Sequence, residues 1–90
     1  MTVGHIKIIY LPSFIKGLRK LESSLQEEAV RKSRLFVNRA NHRQLDVHKL
    51  HGKLQDRYGF SVDHKYRIVF RWEGKSIAVF LAIGDHDVYR

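Results

Sequence analysis

The chain has no cysteine and a single proline, methionine and tryptophan in 90 residues. Without cysteine it can build neither a disulfide framework nor a thiolate zinc site, and the composition suits a reducing compartment. Its longest apolar stretches, residues 8–11 and 77–83, fall far short of the ~18 residues that span a bilayer. The opening Met-Thr-Val-Gly-His-Ile-Lys lacks a charged leader followed by an apolar core, so a soluble, cytoplasmic protein with no membrane contact is expected. Acidic residues are scarce: nine Asp and Glu stand against seventeen Lys and Arg, a formal charge of +8. Such an excess predicts a polyanionic partner, whether nucleic acid, an acidic protein or an anionic surface.

The rest of the composition is that of a folded chain, 43% apolar and 29% charged. Its length accommodates one domain over residues 1–90. The charge is concentrated. Residues 31–53 carry Arg31, Lys32, Arg34, Arg39, Arg43, Lys49 and Lys53 against Asp46 alone. A basic run on a helix is as often a solvated face as a footprint for a polyanion; its concentration in one block favours the footprint.

Residues 5–10 are rich in β-branched residues and predict a first strand, ended by Pro12, which suits the first turn of a helix. Phe14, Leu18 and Leu21 recur at helical spacing, with Gly17 an unfavourable residue among them. Ser24-Leu25-Gln26-Glu27 has the form of a capping box. Behind it Leu25, Ala29, Ser33, Phe36 and Ala40 make a helical stripe that Val30 and Val37 widen. Residues 58–63 and 65–72 alternate, setting Phe60, Val62, Tyr66, Ile68, Phe70 and Trp72 against Gly59, Ser61, Arg67, Val69 and Arg71. Glu73-Gly74-Lys75 turns the chain onto a last strand over 76–83. The expected fold is α+β: two N-terminal antiparallel helices on one face of a small, mostly antiparallel four-stranded sheet, in the order β-α-α-β-β-β. The other face, with Gly59, Ser61, Arg67 and Arg71, is expected to be open.

Several segments together carry a resemblance. Pro12-Ser13-Phe14 opens the first helix and His48-Lys49-Leu50-His51-Gly52 precedes the sheet. Phe60-Ser61-Val62, Tyr66-Arg67-Ile68-Val69-Phe70 and Ile83-Gly84-Asp85-His86-Asp87-Val88-Tyr89 follow in order. In this the chain resembles the RelE/ParE toxin superfamily, in particular its RelE and YafQ-like branch, over nearly its whole length. The resemblance implies a RelE-like toxin of a type II toxin–antitoxin system: an endoribonuclease that cleaves mRNA on the ribosome without metal or cofactor. It implies a cognate acidic antitoxin, mRNA and the ribosome as partners, and a chain that is monomeric alone and hetero-oligomeric with its antitoxin.

By the same resemblance the RNA 2′-hydroxyl is the nucleophile, His48 the general base, His86 the general acid, Arg67 the phosphate-stabilising cation and Tyr89 an aromatic contact to RNA. Imidazole suits proton transfer near neutrality, and guanidinium stays charged and matches phosphate oxygens with a fork. Lys49, His51, Lys53, Lys65, Arg71 and Arg90 are expected to bind RNA, with His51 a substitute for His48 as base. Where several relatives place cations, this chain has Gly59 and Ser61. Two alternatives stay open: a ParE-like inhibitor of DNA gyrase, and a catalytically weak RNA-binding relative.

Other readings compete at each position. His86 lies between Asp85 and Asp87, as a surface histidine paired with a carboxylate would, and Tyr89 could pack the C-terminus onto the sheet. His48 and His51 have no third ligand at metal spacing, so no metal site is expected. His5, His42 and His64 read as surface residues, and Trp72 and Tyr66 as packing.

Overall fold

In the computed structural model, which describes residues 5–52, 56–85 and 88, β1 (Lys7–Tyr10) leads into α1 (Pro12–Arg19) and α2 (Ser23–Phe36). A 3₁₀ turn (Arg39–Asn41) and a two-residue strand, β2 (His48–Lys49), come next. They are followed by β3 (Tyr58–Ser61), β4 (Arg67–Trp72) and β5 (Ile77–Gly84). The strands form one sheet in the order β1-β5-β4-β3-β2. β1 runs parallel to β5, and the other pairs are antiparallel. The expected four-stranded sheet is therefore corrected to a mixed five-stranded one. His48 and Lys49, expected only to precede the sheet, pair with Gly59 and Tyr58 and form its far edge.

Pro12 occupies the first turn of α1 as expected. The Ser13 hydroxyl donates to the Leu81 carbonyl at 2.6 Å, at the bulge where the β4–β5 register shifts. Gly17 has a packing reason. A Cβ there would lie 3.3 Å from both Cγ2 and the carbonyl oxygen of Ile83, so glycine lets α1 approach β5 at the cost of helix propensity. The capping box does not form. Glu22 takes the N-cap position of α2 without a side-chain cap bond, and Gln26 Nε2 reaches back to the Leu21 carbonyl at 2.7 Å.

All five phenylalanines are buried. Phe36, at the end of α2, stacks on Phe60 at 4.9 Å and meets Phe70 and Phe80 edge-on. Phe14 of α1 also packs edge-on against Phe80. Both helices thus cover the sheet face that carries Phe60, Phe70 and Phe80. Leu25, Ala29, Ser33 and Phe36 supply the core stripe as expected. Val30 does not join it: one residue past Ala29 is a turn of about 100° around the helix, and Val30 faces outward. Ala40 falls beyond the helix and is exposed.

His42, read as a surface residue, stacks on Phe36 at 4.5 Å. Its Nε2 donates to the Phe36 carbonyl at 2.7 Å. The opposite sheet face is not bare either. Val69 and Val79 at its centre are 4% and 3% exposed, although neither belongs to the core beneath the helices. No helix among the described residues is long and apolar enough to cross a membrane.

Candidate functional site

Strand register assigns the side chains of the helix-free face. His48, Gly59, Val69 and Ala82 stand in one row across β2, β3, β4 and β5. Ser61, Arg67 and Gly84 form the next row, and Arg71 and Val79 lie in the row on the other side. His48 and Arg67 are thus two strands and one row apart, roughly 12 Å between Cα atoms at ordinary strand spacings. Between them are Gly59 and Ser61. These positions form a floor of small residues flanked by an imidazole and a guanidinium.

His48 is held by its own turn. Asp46 adopts a left-handed backbone, φ 58°, a conformation that Asp tolerates better than most residues. Its carbonyl lies 2.7 Å from His48 Nδ1. A carbonyl can only accept, so Nδ1 carries the proton in this bond, and in the neutral form of the ring the lone pair then sits on Nε2. The Asp46 carboxylate lies 3.9 Å from the same nitrogen, and the His48 side chain is 42% exposed. This is the tautomer and access that a base acting through Nε2 needs.

Arg67 is half-buried, with Nη1 sequestered from solvent. The turn before it is fixed by Asp63, whose carboxylate accepts from the Lys65 and Tyr66 backbone N–H groups at 2.9 and 2.7 Å. Those bonds, Tyr66 first, hold the Asp63 carboxyl below the usual carboxylate range despite an opposing desolvation. On the far side of Arg67, a Cβ on Gly84 would lie 3.3 Å from Val88 Cβ. Val88 therefore lies over this face, and its N–H donates to the Asp85 carbonyl at 3.0 Å.

The other expected site residues divide. Arg71 shares the face and is paired with Glu73, and His51 follows β2 exposed. Lys65 is exposed in the β3–β4 turn, its Nζ 5.6 Å from the Tyr66 ring. Lys49, opposite Tyr58, projects to the other side of the sheet from His48. Lys53, His86, Tyr89 and Arg90 lie outside the described residues. The basic block does not gather beside the site: Arg31, Lys32 and Arg34 belong to α2, on the opposite side of the sheet. Arg57 was missed. The Leu50 N–H donates to the Arg57 carbonyl at 2.9 Å, extending the β2–β3 ladder, and alternation from Gly59 carries Arg57 to the His48 face. The i, i+2 parity with Gly59 and Ser61 was the available signal.

No family model and no curated protein matches the sequence. Solved structures do. A chain of the toxin–antitoxin complex RelBE2 from Mycobacterium tuberculosis is 14% identical, with TM-score 0.76 over 91% of this chain and 99% of that one. A chain of the DinJ–YafQ toxin–antitoxin complex of E. coli is 15% identical, with TM-score 0.72 over 93% and 96%. For the archaeal RelE–RelB complex of Pyrococcus horikoshii the values are 16%, 0.68, 90% and 94%. Two helices on one face of a five-stranded mixed sheet, matched over nine-tenths of the chain by these structures, make this chain a bearer of the fold shared by RelE-, YafQ- and ParE-type toxins.

Proposed function

We propose that the protein is the toxin of a type II toxin–antitoxin system and a metal-independent endoribonuclease that cuts mRNA on the ribosome. The observation that carries this reading is the pairing across the small-residue floor: His48, with its lone pair on Nε2, and Arg67, half-buried and positioned. Nε2 of His48 takes the proton of a ribose 2′-hydroxyl, and the resulting oxygen attacks the adjacent phosphorus. Arg67, with Arg71 and Arg57 on the same face, offsets the negative charge that builds on the phosphate oxygens. His86 gives a proton to the departing 5′ oxygen. The products are a 2′,3′-cyclic phosphate and a 5′-hydroxyl, so bonds and protons balance without a co-reactant. Tyr89 contacts the RNA at the cut. Val88, which lies beside Gly84 in the row of Arg67, is two residues from His86 and one from Tyr89 in the sequence, and this supports giving those two residues their parts in the reaction.

In this reading His51, Lys53, Lys65 and Arg90 add phosphate contacts that set affinity rather than sequence choice. Lys49 contributes from the sheet's other side. The toxin acts in the cytoplasm, where its single domain of residues 1–90 meets ribosomes, and an acidic antitoxin neutralises it.

The test is expression of the parent chain and His86→Ala while growth and mRNA ends are followed. Arrest with new mRNA ends in the parent, both lost in the variant, is the expected result. Undiminished arrest by the variant removes His86 from the mechanism. Arrest with intact mRNA and induced DNA-damage signalling replaces the nuclease with a gyrase inhibitor.

A further inference from the structure

Strand register carries the helix-free face one row beyond His48. The Leu50 N–H donates to the Arg57 carbonyl, so the β2–β3 ladder continues to a Leu50–Arg57 pair. Counting on from Tyr58 opposite Phe70 sets Arg57 beside Arg71, and Arg71 pairs with Val79. Leu50, Arg57, Arg71 and Val79 thus make one row. Its ends, Leu50 and Val79, are buried although neither belongs to the core beneath the helices. Between them stand two arginines side by side.

Like charges directly opposite one another destabilise a sheet, so this pair needs a reason. Each guanidinium has a carboxylate close by in sequence: Arg57 Nη1 donates to Asp56 at 2.9 Å, and Arg71 Nη1 donates to Glu73. The Asp56 and Glu73 side chains are 76% and 56% exposed, against 33% and 38% for the two arginines. Long cationic side chains lay their stems along apolar neighbours and keep the charged end at the surface. The arginines are therefore seated in the face, and the carboxylates stand off it. Ion pairs so exposed add little to stability. A phosphate that meets both forks at once can displace the two carboxylates.

Rows on this face are about 7 Å apart along each strand. His48 stands in the middle one, between the row of Arg67 and the row of Arg57 and Arg71. In the nuclease reading, on which this inference rests, His48 meets a ribose 2′-hydroxyl and Arg67 the phosphate on the 3′ side of that ribose. The order of the rows then fixes the direction of the RNA. We propose that Arg57 and Arg71 together bind the phosphate on the 5′ side of the same ribose, so that the strand runs 5′→3′ from Arg71 toward Arg67. Held by both its phosphates, the nucleotide has its 2′-hydroxyl positioned at Nε2 of His48. The field of the two arginines still reaches the phosphate being cut, while their forks lie on the one before it.

The probe is a message on translating ribosomes with one neutral methylphosphonate linkage, either next before the scissile linkage or next after it. The sugar preceding the neutral linkage is 2′-deoxy, so that this linkage cannot break itself, and control messages carry the same deoxy sugar with ordinary phosphates. With the parent chain, kcat/KM should fall at least about tenfold for the neutral linkage on the 5′ side and hardly at all for the one on the 3′ side. The double variant Arg57→Gln with Arg71→Gln should lose a similar factor on the control message and be indifferent to the 5′ neutral linkage. Both substitutions relieve a like-charge pair, matched thermal melts verify the fold, and the change made in the RNA needs no variant to fold. A parent indifferent to the 5′ neutral linkage overturns the subsite, as does a double variant that still suffers the full loss there. Sensitivity to the 3′ neutral linkage that the double variant abolishes overturns the direction. A parent that cuts none of the messages fails the nuclease reading itself and takes the subsite with it.

Discussion

His48 of β2 and Arg67 of β4 share one face of the sheet, with Gly59 and Ser61 of β3 between them. In the proposed reaction the imidazole takes a proton and the guanidinium steadies the phosphate, with only small side chains between them. His48→Ala is expected to slow single-turnover cleavage by about 10²–10⁴-fold. Because the side chain is 42% exposed, the melting temperature should hardly change, so a large fall in melting temperature would recast His48 as structural.

Arg67 tests shape separately from charge. Arg67→Lys keeps a positive charge but loses the planar fork that matches two phosphate oxygens. Cleavage by Arg67→Lys should fall by at least about tenfold, with kcat affected more than KM if the fork acts on the transition state. Parental kcat in Arg67→Lys would reduce its role to a point charge.

Gly17 predicts a stability effect opposite in sign to helix propensity. Alanine in a helix interior ordinarily gains about 1 kcal/mol over glycine. Here the added methyl would press on the Ile83 carbonyl oxygen at 3.3 Å, a backbone atom in a central strand that cannot swing aside. Overpacking of this kind costs about 1–3 kcal/mol, so Gly17→Ala should lower the urea midpoint. A raised midpoint would mean that α1 can move off β5.

His42 couples stability to pH. Burial beside Phe36 pushes its pKa down, the bond to the Phe36 carbonyl opposes that shift, and Arg39 adds to it. The folded state thus holds the proton less tightly than the unfolded state does. The contribution is fully present above the unfolded pKa of about 6.5 and is lost as pH falls from there through the folded pKa. Melting temperature should drop between pH 7.5 and 5, and His42→Phe should flatten that drop. An unchanged pH profile in the variant would assign the acid sensitivity elsewhere.

Much of this arrangement was legible in the sequence because it is periodic. The alternation in 58–63 and 65–72 set Phe60, Ile68 and Phe70 on one side and Gly59, Ser61 and Arg67 on the other, as register places them. What escaped was non-periodic or long-range. Two residues, His48 and Lys49, are too short a strand to show alternation, and their pairing depends on a partner about ten positions away. Ser24 and Glu27 matched a cap pattern that Glu22 and Gln26 pre-empted. Val30 looked like core because apolar residues next to a stripe usually widen it, and its exposure follows from its place about 100° round the helix from Ala29. His42 was drawn inward by the Phe36 ring and carbonyl, neither of which its polar neighbours announce.

The central claim is that RNA is cut through its own 2′-hydroxyl on the face shared by His48 and Arg67. The most direct measurement compares translating ribosomes programmed with an ordinary message and with one bearing a single 2′-deoxynucleotide just 5′ of the mapped cut. The account predicts cleavage of the first to a 2′,3′-cyclic phosphate and a 5′-hydroxyl, and none at the substituted linkage. Cleavage at the deoxy position, or ends bearing a 5′-phosphate and a 3′-hydroxyl, would contradict it.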